Sequence, residues 1–228
     1  LATFQFDTDN SWMVFFLNAN GTIYGRFGTR SDRTQWEDDV SVEGLAQAMA
    51  GALKLHKEYP ANKESLAAKR GPQPKFRSPE QYPSLKPKYQ SRIDFGVNVV
   101  KNCIHCHQIG DAERLVYRER GEAIPEAVLF PHPHPKSIGL ILDPNHKAKV
   151  KRVQENSLAA KAGFKAGDVI DRLDGQPLLS IADMQWVLHQ ASPEGDTLPA
   201  EVRRGDRTSK LQLELPGGWR GHGDSAWR

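Results

Sequence analysis

Apolar and polar positions change their period along the chain, and each change marks an element. Trp12 to Leu17 is a short apolar run, Asn18 to Gly21 carries turn chemistry, and Thr22 to Phe27 alternates. The pattern predicts a β-hairpin whose turn takes its positive φ angles from Asn20-Gly21. Ser41 can then cap a helix with Glu43 in its first turn. Leu45, Met49, Leu53 and His56 recur at helical spacing and predict one buried face, and Pro60 ends the helix. Near the other end, Ser180 with Asp183 three residues on is a variant capping box. Ala200 to Arg204 and Lys210 to Leu215 form a hairpin pattern around Gly205-Asp206.

Composition changes between these elements. Residues 60–92 hold six of the fifteen prolines, and from Lys57 to Arg92 nine Lys/Arg face three Glu. Proline fixes φ and removes a donor, so 60–92 reads as an extended basic linker. The net charge of the whole chain is only +3, too small to argue for nucleic acid. No apolar run is long enough to span a bilayer. A hairpin plus one helix buries little of itself, so the unit over 1–59 needs another surface to complete it.

The chain has two cysteines, which excludes a disulfide scaffold; they are Cys103 and Cys106, with His107 directly following. Two thiols at this spacing match the two vinyl groups of a haem, and the next imidazole can ligate the iron. Phe95 to Gly110 resembles the haem-attachment segment of class I cytochromes c. That resemblance implies a covalent haem c on Cys103 and Cys106 with His107 as proximal ligand. The family's axial methionine is missing, since Met13, Met49 and Met184 all lie elsewhere. His132 and His134 are the nearest downstream candidates for the sixth position. Three other readings stay open: a thiol–disulfide redox pair, an idle structural disulfide or two free thiols, and zinc held by Cys103, Cys106, His107 and one of the 132/134 histidines.

Strand, turn, strand, helix over 4–59 resembles the C-terminal half of a thioredoxin-like fold. It departs from that family where Asn10-Ser11-Trp12 replaces a cis-proline, and no CxxC lies upstream. The region from Ser137 to Pro216 resembles a PDZ domain of the HtrA type. The resemblance rests on the glycine-containing loop Ile138-Gly139-Leu140-Ile141, the Val150 to Val153 strand, Ser157 to Asp168, and Val169 to Gly175. It implies that amides of Ile138, Gly139 and Leu140 converge on a peptide's terminal carboxylate. The peptide would add as a strand, with Ile181, Met184 and Leu188 presenting an apolar wall.

The expected architecture is an α+β multidomain chain. A partial thioredoxin-like ββα unit (1–59) leads through a Pro-rich linker (60–92) to a short helical haem-attachment segment (93–136). A PDZ β-sandwich or barrel with two helices (137–216) and a tail (217–228) follow. No nucleophile elbow precedes the PDZ-like segment, so a serine protease is not expected in this chain. The expected function is an exported, periplasmic-type c-type haem protein coupling electron transfer or redox sensing to binding of a C-terminal peptide or protein partner. An export signal would lie upstream of Leu1. The competing expectation is a non-enzymatic PDZ adaptor.

Overall fold

The hairpin forms as the pattern predicts. In the computed structural model, which describes residues 1–10, 12–31, 39–88 and 105–222, β1 (Val14–Leu17) pairs antiparallel with β2 (Ile23–Phe27). Of the two turn residues only Gly21 takes a positive φ, +76°. Asn18 supplies the rest of the turn, its Oδ1 accepting from the N–H groups of Asn20 and Thr22.

Helix α1 (Val42–Lys57) starts where expected, with Ser41 Oγ accepting from the Gly44 N–H at 2.9 Å. Its buried face is a different one. Gly44, Ala48, Gly51, Ala52 and Leu55 point inward, while Met49 and Leu53 are 50 % and 60 % exposed. The physical reason is close approach. A Cβ on Gly44 would run into the Pro144 carbonyl oxygen, and one on Gly51 would lie 2.7 Å from Leu179 Cδ2. Small side chains let the helix backbone settle onto the C-terminal unit, an advantage that outweighs glycine's poor helix propensity. Ser41 serves both contacts, because its Oγ also donates to the Pro144 carbonyl at 2.9 Å. Ser41→Ala should therefore cost about 1–2 kcal/mol in a urea titration. Ser41→Asp should restore the cap but not the donor, and so recover only part of that loss.

Residues 60–88 are not the extended, solvated linker their prolines suggest. They form helix α2 (Lys63–Ala67) and 3-10 turns at Pro79–Gln81 and Lys86–Lys88. Leu66 and Lys69 are buried, and Tyr82 and Leu85 pack with Ile109, Ala112 and Val116 of helix α3 (Cys106–Glu119). Proline fits the first turn of short helices without losing a bond, so it punctuates this segment without unfolding it.

A short helix α4 (Glu126–Leu129) leads to the C-terminal unit. Its strands are β3 (Leu140–Leu142), β4 (Val150–Val153), β5 (Val169–Leu173), β6 (Gln176–Pro177), β7 (Gly195–Arg204) and β8 (Arg207–Pro216), with helices α5 (Leu158–Ala162) and α6 (Ile181–Gln190). β3 pairs with β4, and the second sheet runs β6-β5-β7-β8, all antiparallel. The predicted caps are in place: Ser157 Oγ accepts from the Ala160 N–H, and Ser180 Oγ from the Asp183 N–H. One core joins both sheets and α6 through Leu140, Ile170, Leu173, Met184, Leu188 and Leu213. It extends past the expected end of the unit, because Trp219 is fully buried in it. Residues 217–222 are thus part of this unit and not a tail.

Candidate functional site

The N-terminal unit finds its missing surface on α6. Asp183, fully buried in the helix's first turn, accepts from the Arg26 N–H of β2 at 3.1 Å and from Lys69 Nζ at 2.9 Å. Both side chains of the Lys69–Asp183 pair have zero exposure. Burial lowers the Lys69 pKa, and the charge and hydrogen bond of Asp183 offset part of that shift. Ser180 Oγ donates to the Arg26 carbonyl at 2.5 Å. The Arg26 guanidinium stacks 3.8 Å over Trp186, and burial lowers its pKa to about 10 although Asp183 pulls the other way. Further along α6, Thr29 Oγ1 donates to Gln185 Oε1, and Gln185 Nε2 donates to the His132 carbonyl at 3.1 Å. Trp186 Nε1 donates to the Ala68 carbonyl at 2.8 Å.

Across the cleft from α6, the loop leading into β3 carries a second set of contacts. Asp39 Oδ2 accepts from Ser31 Oγ at 2.6 Å, while its Oδ1 lies 3.1 Å from Lys136 Nζ and 3.4 Å from His134 Nε2. Lys136 Nζ also reaches Ser31 Oγ at 2.6 Å. Burial by itself would raise the Asp39 pKa; His134, Ser31 and Lys136 more than offset it and hold the carboxyl well below the usual range. Because the folded pKa is depressed, the carboxylate's contribution is complete above about pH 4 and lost only as pH falls through the folded value. A thermal-unfolding series from pH 8 to 5 should accordingly show no loss from this group.

Gly139 ends the loop at φ +83°, where a Cβ would collide with Ser157. Only glycine fits there. Of the three amides expected to converge on a carboxylate, that of Gly139 instead donates to the Lys136 carbonyl at 3.0 Å. Ile138 and Leu140 are buried and Ile141 is half-buried in β3, which pairs with β4 alone among the described residues. Ile181, Met184 and Leu188 do not line an open wall. They are 5 %, 0 % and 0 % exposed, packed into the unit's own core. The residues of α6 that meet the rest of the chain are Asp183, Gln185 and Trp186. Periodicity marked the apolar face because that face is core; the contacts of the other face are polar and carry no such signal.

The cysteine–histidine motif sits elsewhere. Cys103 lies outside the described residues. Cys106 opens α3 and is half-buried; the His107 side chain is 64 % exposed, 4.0 Å from Asp111. His132 is buried and stacked on His189 with 4.0 Å between ring centroids. His134 has both ring nitrogens engaged, Nδ1 accepting from the Lys136 N–H at 3.2 Å and Nε2 facing Asp39. Among the described residues no group of three His, Cys, Asp or Glu side chains is placed to hold a metal ion. The zinc set that the spacing allowed includes Cys103 and so lies partly outside the described residues. A cavity of about 360 Å³ adjoins α3, its lining mixed: Phe4, Phe6, Ile109 and Trp186 with Glu113 and Arg114 among others.

The PDZ domain family profile matches residues 133–215. That segment is a PDZ domain. Its curated relatives are of the HtrA/DegP kind. Serine protease Do-like HtrB of Bacillus subtilis is 41 % identical over 66 residues, 29 % of this chain and 14 % of that protein. Periplasmic serine endoprotease DegP of Escherichia coli is 39 % identical over 74 residues, 32 % of this chain and 15 % of that protein. This chain thus spans about one-seventh of the length of these relatives. Among solved structures, the HtrA3 PDZ domain bound to a phage-derived ligand (FGRWV) is similar at 26 % identity and a TM-score of 0.27, covering 32 % of this chain and 65 % of that one. No helix among the described residues is long and apolar enough to cross a membrane.

Proposed function

We propose that this chain is a protein-binding PDZ adaptor that captures apolar C-terminal peptides between β3 and α6, in an exported protein. The observation that carries this reading is the PDZ match over 133–215 together with a β3 whose outer edge pairs with no other strand among the described residues. A peptide added there satisfies that edge with main-chain bonds, while its side chains select the partner. Export is supported by the periplasmic relative, and a fold homologous to a protease's binding module carries no protease chemistry of its own.

The test is fluorescence anisotropy of the full chain with labelled pentapeptides ending in valine, one with a free carboxylate and one amidated. Amidation should weaken binding at least ten-fold, about 1.4 kcal/mol, and Gly139→Asp should abolish it. Equal binding of both peptides would remove the carboxylate loop from the function.

A second site is proposed for the CxxCH motif. What supports it is the motif's own chemistry, with a half-buried thiol and an exposed imidazole in the first turn of α3. Cys103 and Cys106 would form the thioethers and His107 would ligate the iron. Such a group would supply one-electron transfer to whatever the PDZ domain binds. His132 or His134 would complete the site as sixth ligand. Material matured through an export route should be coloured and heavier than the polypeptide by one porphyrin, and Cys106→Ser should lose at least one thioether. Colourless protein of bare polypeptide mass would end this reading.

A further inference from the structure

The contacts that complete the N-terminal unit run along the same cleft that a PDZ ligand would enter. From Arg26 to Ser31 the chain follows α6 in one direction. Arg26 bonds Ser180 and Asp183 at the start of the helix, Thr29 bonds Gln185 in its middle, and Ser31 reaches Lys136 in the loop before β3. This is a path from the open end of the groove toward the carboxylate loop. At the end of that path stands a carboxylate, Asp39, facing Lys136 and His134. The other side is closed by the start of α1, where Ser41 bonds the Pro144 carbonyl just beyond β3. Between Phe27, Gly28, Thr29, Asp39 and Gly44 on one side, and Pro144 and Leu179 to Ala182 on the other, a void of only about 10 Å³ remains. That is room for a single water at most.

We propose that the chain's own N-terminal unit, through Arg26–Ser31 and Asp39–Gly44, occupies the PDZ groove as an internal ligand. An external C-terminal peptide then binds only by displacing it. The inference rests on the peptide-binding reading above and adds its regulation: the apparent affinity for a partner is reduced by the fraction of time the cleft is closed. The loop itself is consistent with a closed state, because the Gly139 N–H that would meet a peptide carboxylate is turned onto the Lys136 carbonyl. Opening requires the ββα unit to leave α6, exposing Leu179 and the Arg26 contact to water, and a bound peptide would offset that exposure.

Two variants of the full chain attack separate contacts, so misfolding of one leaves the other informative. Gly44→Ala strengthens α1 by propensity yet drives it off Pro144. Ser31→Ala with Asp39→Asn removes the anchor at Lys136. Each is measured by peptide-level hydrogen exchange over 26–31 and 140–144, and by anisotropy with the free-carboxylate valine pentapeptide. The proposal expects faster exchange in both segments and binding at least ten-fold tighter than wild type. Faster exchange with unchanged affinity, while Gly139→Asp still abolishes binding, would overturn the proposal and leave the peptide-binding function intact. Unchanged exchange and unchanged affinity in both variants would also overturn it. Faster exchange without probe binding by any form would overturn the peptide-binding reading itself, with the N-terminal unit still shown to cover the cleft.

Discussion

Replacing Lys69 with methionine should lower the unfolding free energy by about 3–5 kcal/mol, the usual cost of leaving one member of a buried ion pair alone. Its partner Asp183 has no exposed surface and would lose the ammonium that pairs with it at 2.9 Å. Asp183 also accepts the backbone N–H groups of Arg26 and Leu179, so the carboxylate cannot swing toward water without breaking the docking of β2. The double variant Lys69→Met/Asp183→Asn should recover only part of the loss: it removes the charge, but the two N–H groups bond different carboxylate oxygens and an amide keeps an acceptor for one of them. Urea titrations of the three proteins decide it. A single variant within 1 kcal/mol of wild type would mean that Lys69 is not the counter-charge on which Asp183 depends.

Trp219→Ala should cost about 3–5 kcal/mol, as expected for a fully buried aromatic side chain removed from a core. Trp219 lies outside the matched PDZ segment yet has no solvent exposure, and its Nε1 donates to the Ser192 carbonyl at 2.9 Å. The adjoining Arg220 donates to the carbonyls of His189 and Ala191 at 2.7 and 2.6 Å, ending α6 where helix acceptors would otherwise go unpaired. Burial lowers the Arg220 pKa, though Glu126 pulls it back. A protein cut after Pro216 should accordingly unfold at much lower urea concentration than the full chain. Equal midpoints would show that the PDZ core closes without Trp219.

These two residues mark the boundary between what a linear reading reaches and what it misses. Lys69 stood in a basic, proline-rich stretch that reads as solvated, and Trp219 in an aromatic-basic stretch that reads as a tail. The contacts that bury them are distant in sequence. Lys69 meets a residue 114 positions away, and Arg220 caps a helix about 30 positions upstream. Periodicity reports which face of an element is apolar, but not whether a charged residue has a distant counter-charge waiting.

The PDZ domain itself was legible because its signals are local. Ser157 and Ser180 cap the helices that follow them. Gly139, Gly163 and Gly205 stand at positive φ where the chain must turn. The sequence by itself determined these elements, the hairpin turn at Gly21 and the start of α1 at Ser41, since each depends on residues within a few positions of one another. The tertiary structure decided which face of α1 is buried and which residues of α6 meet the N-terminal unit. Gly44 and Gly51 are weak helix formers in isolation, and become the docking face only against Pro144 and Leu179, which come 100 or more residues later. Shape and charge complementarity between such distant segments is a property of the assembled surfaces, and no window along the chain contains both halves of it.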